Sequence, residues 1–434
     1  MKQLTRLFIP ICLETLFYML SGMVDTLMLS AVGDYAVGAV GTANSYIGIF
    51  IIMFSIISSG MVSVMTQNIG AGRPGVAYQA RQLGLLFNAV AGVLMAVFLF
   101  SGAGAILRMV GIADALYEPA LIYLKIVGGG CILNAVIPIF SSYLRAFGYT
   151  KQPLYATIVG NIANFVMNAV FLFVLHKGVA GVATATVISK ILNLCIVLYF
   201  SHKLISAKNS TERIANKTVL GQIVKVGFPS ACETALYNVA MMLVIRFLNQ
   251  MDAEGLNVTA RSYTATISNF SYCVGAALAQ ANAIMTGWHI GAGKLEECDR
   301  GTKRAAFVGV CVAVCMETAI VLGSGFIMPL FTDNPEMTAL VRKLLAIDIV
   351  LEIGRVTNLV FGQALKTSGD AVFPAVIAAV FMFVFAVGGT WLFGISMGLM
   401  AVGAYIGLAS DECVRAVGMV WRWKTGKWRT KKLV

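Results

Sequence analysis

One carboxylate, Asp25, lies inside the first long apolar stretch of the chain. Because a charge at the centre of a lipid bilayer costs about 2.5–3.5 kcal/mol or more, a carboxylate in such a stretch indicates a functional site. A later stretch carries Asn161, Asn164 and Asn168, whose spacing places them on one face of a helix. Carboxylate and amide oxygens suit hard cations, and a buried carboxyl group can hold a proton. Together these residues predict a Na⁺ or H⁺ site, although the asparagines by themselves would serve equally well as hydrogen-bonding contacts between helices.

Further ionisable side chains stand within later apolar stretches. Lys190 lies near the middle of one stretch, and Glu317 lies near the middle of another with no partner close in sequence. Glu352 and Arg355 stand three residues apart and can pair on one helix, with Asn358 one turn further along. This group is either an internally neutralised structural pair or a contact for a substrate, and the sequence leaves both interpretations open.

Acids outnumber bases inside the apolar stretches, which favours a cationic substrate or coupling ion. The acids are Glu14, Asp25, Glu233, Glu317, Asp348, Glu352, Asp411 and Glu412, and the bases are Lys125, Lys190, Arg246, Arg355 and Arg415. Glu14 and Glu233 each follow a proline by four residues, which favours a structural role such as binding a neighbouring helix end. We expect Asp411, Glu412 and Arg415 to form a charged cluster at the membrane surface.

The elements that position these residues are predicted to be membrane-spanning helices. The 434 residues are 59% hydrophobic and 12% charged, whereas a soluble domain is about 25% charged and cannot bury so much apolar surface. Only helices or closed barrels cross lipid, and these runs are too long for barrel strands. The fold class is therefore all-α integral membrane, with twelve spans predicted at 7–31, 41–66, 83–105, 120–143, 155–176, 180–202, 224–248, 262–288, 305–331, 342–364, 372–394 and 398–421.

Lysine and arginine concentrate in alternate loops between these spans. The opposite set of loops holds only Arg108, Lys177, Arg261, Arg342 and Lys343. Since the excess of bases marks cytoplasmic loops, both termini are predicted to be cytoplasmic and the protein to lie in the cell (inner or plasma) membrane. The net charge of +12 then follows from topology, and no nucleic-acid partner is expected.

The chain repeats itself with a period close to half its length. Ile69–Arg73 returns as Ile290–Lys294, and Leu144–Gly148 returns as Leu365–Gly369. Because the period holds six spans, both halves enter the membrane from the same side and form a parallel repeat. Two similar bundles with a cavity between them are the usual geometry for alternating access. The predicted parts are an N-terminal lobe at 1–203, a cytoplasmic linker at 204–221, and a C-terminal lobe with a basic tail at 222–434.

No motif indicates an enzyme or a nucleotide-driven pump. The chain has no GxxxxGK[ST] phosphate-binding loop. Its nine cysteines are scattered singly, without a CxxC pair, and its three histidines are far apart, so no structural zinc site is expected. We expect no enzymatic activity and no cofactor apart from a coupling ion.

Short motifs follow one another in a fixed order: Val24–Thr26, Gln67–Gly72, Leu144–Gly148, Asn164–Asn168, Gly178–Thr186, Glu352–Asn358, Leu365–Asp370 and Arg422–Trp428. This order, at matching places in two six-helix halves, resembles the multidrug and toxic compound extrusion (MATE) transporters of bacteria. The resemblance covers essentially the whole chain.

The resemblance implies two six-helix lobes around a cavity that opens alternately to each side, and efflux of organic, often cationic, compounds in exchange for Na⁺ or H⁺. The expected partners are a small-molecule substrate and the lipid bilayer, and the protein is expected to be a monomer. Cation coupling is assigned by this resemblance to Asp25, Asn164, Asn168 and Thr186, with Na⁺ bound at the first three. The residues expected to line the substrate cavity are Gln67, Lys190, Glu233, Glu317, Glu352, Arg355 and Asn358.

Two other functions are compatible with twelve spans. A flippase for lipid-linked precursors would share the two-bundle plan, but it needs a basic cavity to hold phosphate, whereas the spans of this chain are net acidic. A receptor or assembly factor that transports nothing belongs to a different class and leaves no distinguishing mark in the sequence.

Overall fold

The computed structural model describes residues 2–109, 111–205, 212–252 and 255–434, and these residues form helices without a strand. The predicted all-α class is therefore confirmed over this part of the chain. Of the predicted linker at 204–221, residues 206–211 lie outside the described residues. The α-helices are α1 (Lys2–Ser30), α2 (Asp34–Gly70), α3 (Pro74–Met109), α4 (Asp114–Gly129), α5 (Cys131–Ala146), α6 (Lys151–Ala169), α7 (Gly178–Leu204), α8 (Asn216–Met251), α9 (Leu256–Gly291), α10 (Leu295–Ile327), α11 (Pro335–Thr367), α12 (Val372–Phe381) and α13 (Met400–Lys424).

Eight helical elements are long and apolar enough to cross a membrane, with α6 and α12 counted together with the segments that continue them to Val174 and Ser396. The pair α4 and α5 makes a ninth when it is counted as one span. Helices α9, α11 and α13 are equally extended but bury polar and charged groups inside the protein, which lowers their hydropathy. With α4 and α5 counted together, the described residues hold twelve long helical elements, and each predicted span falls on one of them. One predicted span, 120–143, is not continuous: it bends by 41° at Gly130, between α4 and α5.

The helices pack into two compact units. The first unit is Ile9–Gly227, and the second unit is Met1–Phe8 together with Phe228–Val434. In the first unit, α2 and α3 pack on each other and on the bent pair α4–α5, which packs on α7, and α7 also packs on α6. In the second unit, α9 and α10 pack on each other and on α11, which packs on α13, and α13 also packs on the continuation of α12. The same order of contacts in both units shows the repeat in three dimensions.

The repeated sequence motifs are helix ends. Gly72, after α2, has a φ of 77°, and Gly293, after α9, has a φ of 73°. Each glycine N–H donates to the carbonyl three residues earlier, at 3.1 Å in both units. Gly148 and Gly369 end α5 and α11 with φ values of 85° and 96°. Because a residue with a Cβ rarely adopts this left-handed conformation, the repeat preserves glycine at these turns.

A second repeated turn follows two π-helical segments, Val170–Val174 and Thr390–Ser396. His176 and Gly178 have positive φ values of 49° and 52°, and the corresponding positions in the second unit are Gly398 at 71° and Met400 at 50°. Each unit therefore uses one glycine and one larger residue for the same left-handed pair. The larger residue carries a backbone strain of about 1–2 kcal/mol, since its Cβ crowds the carbonyl oxygen.

The last helix and the residues after it fold back on the second unit. The rings of Trp423 and Trp428 stack 4.2 Å apart, and Trp423 Nε1 donates to Asp299 Oδ1 at 2.7 Å. The Arg422 guanidinium donates to both carboxylate oxygens of Asp370 at 2.7 and 3.1 Å. These bonds tie the end of the chain to the start of α10 and to the turn before α12.

We predict that His176→Gly raises the apparent melting temperature of the purified protein, because glycine relieves the left-handed strain and the His176 side chain is exposed. The gain is expected to be about 1 kcal/mol after the entropy cost of glycine is subtracted. The matched control is Lys177→Gly, since this exposed neighbour has a φ of −81° and should gain nothing. Equal destabilisation by both substitutions would show that His176 carries no strain.

Candidate functional site

Asp25 of α1 lies against two asparagines of α6 in the first unit. Asn168 Nδ2 donates to Asp25 Oδ1 at 2.8 Å and to Asn164 Oδ1 at 3.1 Å. Asn164 and Asn168 are buried, and Asn168 Oδ1 has no hydrogen-bond partner. The third asparagine of this face, Asn161, donates instead to the backbone oxygen of Phe17 at 2.9 Å. The structure therefore brings together the three residues that the sequence predicts for a cation site, and a donor nitrogen lies between two of their oxygens.

Helix α7 contributes the two other polar groups of this region. Thr186 Oγ1 donates to the backbone oxygen of Val182 at 2.9 Å, and the Tyr123 hydroxyl of α4 lies within hydrogen-bonding reach of Thr186 and Asn44. One turn further along α7, Lys190 Nζ donates to Asn134 Oδ1 of α5 at 2.8 Å. Lys190 also interacts electrostatically with Asp25. Lys190 is therefore part of the Asp25 region rather than of a separate cavity.

Asn134 was not identified from the sequence. It stands on α5 just after the bend at Gly130, and its side chain reaches Lys190 because α5 packs on α7. The bend itself coincides with Gly128-Gly129-Gly130, which is a sequence signal for a break in a helix. Tyr123 lies on the other side of the bend, and no sequence signal identifies it. A tyrosine in an apolar helix can equally well be an ordinary core residue.

The second unit contains a cavity of about 480 Å³. Its walls carry four acids, four bases and several tyrosines, so it is polar rather than purely apolar. The charged and aromatic residues that line it are Glu233, Tyr237, Arg261, Tyr272, Asp348, Arg355, Lys366, Tyr405, Asp411, Glu412 and Arg415. Glu233, Arg355 and Asn358, predicted from the sequence for a substrate cavity, all lie in this wall.

Behind this wall, Glu317 of α10 meets Asp348 and Glu352 of α11. One carboxylate oxygen from each residue lies within 4.8 Å of the others, and all three side chains are buried. Both oxygens of Glu317 lack a hydrogen-bond partner, as do Asp348 Oδ2 and Glu352 Oε2. Three carboxylates this close cannot all stay ionised without a cation or protons between them, since like charges in a low-dielectric interior repel strongly.

Two arginines neutralise part of this negative charge. Arg355 Nη1 donates to Glu352, as their spacing on α11 predicts, and Arg355 Nε lies 3.9 Å from Glu412 Oε1. Arg415 Nη2 lies 2.7 Å from Asp411 and 2.8 Å from Glu412. The charged cluster expected here from the sequence forms, but it lies inside the protein rather than on its surface. Asp411, Glu412 and Arg415 are all buried, because α13 turns them towards α11 and the cavity.

The two glutamates that follow a proline are paired in the same way in both units. Glu14 Oε1 of α1 lies 2.6 Å from Arg145 Nη2 at the end of α5, and Glu233 Oε2 of α8 lies 2.7 Å from Lys366 Nζ at the end of α11. Each glutamate thus binds the end of a neighbouring helix. Only the Glu233 pair lines the cavity of the second unit.

Gln67 is fully buried in the last turn of α2. Its backbone oxygen accepts the N–H of Ala71 at 2.9 Å, within the turn that Gly72 completes. It is not among the residues that line the 480 Å³ cavity. The structure thus places Gln67 in a helix end of the first unit, whereas the acids and bases of the cavity belong to the second.

Comparison with known proteins gives one consistent result. The MatE family model matches residues 10–170 and 229–392. The chain is 32% identical over 428 residues to the uncharacterized transporter YisQ of Bacillus subtilis, covering 97% of this chain and 94% of that protein. It is 21% identical to the probable multidrug resistance protein NorM of Thermotoga maritima, covering 100% and 94%. A solved outward-facing structure of a multidrug resistance MATE family transporter matches with a TM-score of 0.85 at 20% identity, covering 98% and 96%.

We predict that Glu317→Gln stabilises the protein, by about 1 kcal/mol or more, because glutamine keeps the shape of the side chain and removes the cost of holding Glu317 beside Asp348 and Glu352, whether as a charge or as a protonated acid. The measurement is the apparent melting temperature in detergent at neutral pH. The control, Asp411→Asn, weakens two hydrogen bonds from Arg415 while Glu412 still pairs with that arginine, and it should destabilise by about 1–3 kcal/mol. Destabilisation by both variants would contradict such a cost at Glu317.

Proposed function

The chain belongs to the MatE family, a family of membrane transporters, and on that premise we propose that it exports organic compounds, cationic or amphipathic, in exchange for Na⁺ or H⁺. The observation that carries the proposal is the cavity of the second unit. Its volume of about 480 Å³ lies within the usual range of about 300–1,000 Å³ for sites that hold drug-sized molecules. Tyr237, Tyr272 and Tyr405 offer aromatic faces, which attract organic cations.

The charges around this cavity favour a cation over an anion. Of the four bases in the wall, Arg355, Lys366 and Arg415 are each bound by a carboxylate. Glu317 and Glu352, directly behind the wall, add negative charge. A flippase for phosphate-bearing lipids needs free guanidinium groups for its phosphates, so the flippase alternative receives no support from these pairs.

Coupling to an ion is proposed to occur at Asp25, with Asn164, Asn168 and Thr186 around it. Asp25 and Asn168 lie on different helices, α1 and α6, and are joined by a single hydrogen bond. Binding of a cation or proton at Asp25 would therefore alter the contact between these two helices. Exchange requires that this binding and substrate binding each favour a different one of two states, since a ligand shifts an equilibrium only through differential affinity.

The membrane location follows from the same proposal. The protein is proposed to work as a monomer in the cell (inner or plasma) membrane, with both termini in the cytoplasm, where the basic loops belong. Alternating access would use the two repeat-related lobes. The ion that enters is Na⁺ or H⁺, and no other cofactor is proposed.

We predict that Asp25→Asn abolishes drug efflux in everted membrane vesicles, because the amide can neither hold a proton nor attract a cation. The matched control is Asp114→Asn, which changes an exposed acid of the same unit at the start of α4 and should transport at the wild-type rate. Efflux at the wild-type rate by Asp25→Asn would refute Asp25 as the coupling residue.

We also predict that Glu233→Gln raises the KM for an organic cation about tenfold, equivalent to about 1.4 kcal/mol. The substitution leaves the positive charge of Lys366 unpaired in the cavity wall. The control is Glu14→Gln, which removes the equivalent ion pair with Arg145 in the first unit. It reproduces the loss of a helix-to-helix ion pair without changing the cavity, so KM should stay unchanged. An equal change in KM for both variants would mean that this cavity does not bind the substrate.

A further inference from the structure

The amide group of Asn168 fills the position between the oxygens of the Asp25 region. Its Nδ2 donates to Asp25 Oδ1 at 2.8 Å and to Asn164 Oδ1 at 3.1 Å. A Na⁺ ion needs converging oxygens at such a point. Asn168 Oδ1, the oxygen of the same amide, is not the atom that contacts Asp25, and it is buried without a hydrogen-bond partner. The hydrogen-bond donor that these two oxygens require is thus already supplied by the protein.

Lys190 is the base that stands beside this region and can carry a positive charge there. Its Nζ donates to the neutral Asn134 at 2.8 Å, and Asp25 is the carboxylate whose charge acts on it. The other titratable groups that face this pair are Tyr18 of α1, Tyr123 of α4 and Cys131 of α5. These three groups are neutral near pH 7, which leaves Asp25 and Lys190 as the two groups of the region that can carry opposite charges.

We propose that Asn168 and Lys190 together take the place of Na⁺ beside Asp25, so that this site excludes Na⁺. The amide supplies the hydrogen bonds and the ammonium supplies the charge that a bound Na⁺ would otherwise provide. A Na⁺ ion entering the site would displace the amide donor and add a second positive charge near Lys190. We expect like-charge repulsion between Na⁺ and the Lys190 ammonium to weaken Na⁺ binding by at least about tenfold.

This inference rests on the proposed function and narrows it. At the Asp25 site Na⁺ is excluded as the coupling ion, and the proton remains. The residues that select H⁺ over Na⁺ are Lys190, on α7, and Asn168, on α6. Asp25 does not select, because either ion would bind to it.

The test measures Na⁺ binding to the purified full chain by equilibrium dialysis with radioactive Na⁺, in a constant K⁺ background. Wild type and Asp25→Asn should bind the same amount of Na⁺, so that Na⁺ bound in the second unit cancels in the comparison. The double variant Asn168→Asp with Lys190→Met should bind one additional Na⁺ per chain. Adding Asp25→Asn to the double variant should remove that ion.

The single variants separate the two contributions. Lys190→Met should bind Na⁺ at least about tenfold more tightly than wild type, whereas Lys190→Arg should behave as wild type because it keeps the charge. The control Lys125→Met removes an exposed lysine of α4 and should change nothing. If Lys190→Met is not monodisperse, Lys190→Gln replaces it.

Two results would overturn the proposal. One is that wild type binds one more Na⁺ than Asp25→Asn. That extra ion would be bound by the unmodified protein, so it could not be attributed to packing changed by the other substitutions. The other is that the double variant gains no Na⁺, which would show that these residues do not exclude it. The assay uses neither a drug nor a gradient, so a failure of drug efflux would refute the proposed function without deciding this result.

Discussion

Every charged or polar group that enters a bilayer must find its partner inside the protein, because hydrocarbon offers none. This constraint explains why the buried charges of the chain occur in pairs and clusters. Arg415 binds two carboxylates, and Arg355 binds Glu352. Glu317, by contrast, is fully buried and neither of its oxygens accepts a hydrogen bond. Two carboxylate sites depart from such ion pairs: Asp25, which is bonded to a neutral amide, and the cluster around Glu317. These are the places where a functional role is best supported.

Comparison of the two repeated units distinguishes structural features from candidate functional ones. Elements common to both units are structural: the glycine turns after α2 and α9, the paired glutamates on α1 and α8, and the order of helix contacts. Elements present in only one unit are the functional candidates. The first unit has a carboxylate beside two asparagines, whereas the second has a carboxylate cluster and a polar cavity. Two copies of one scaffold thus carry two different sites.

Much of the candidate site could be predicted because its residues violate the apolar pattern around them. Asp25, Lys190, Glu317 and Arg355 stand out in apolar stretches, and helical spacing correctly joined Glu352 to Arg355 and Asn164 to Asn168. The burial of the α13 cluster was not predicted, since charges within one helix are compatible with either a surface or the protein interior. Asn134 was missed, because its role depends on a bend that brings α5 to α7.

The sequence by itself determined the helical class, the span positions, the repeat and the polar residues of interest, because hydrophobic length and helical periodicity are local properties of the chain. Tertiary structure decided which helices meet. It placed Asn168 against Asp25 across 143 residues and Asn358 against Glu412 across 54. It also decided that an amide nitrogen, rather than an oxygen, faces Asp25. Such contacts depend on how helix faces pack and on side-chain orientation, which no spacing along one helix encodes.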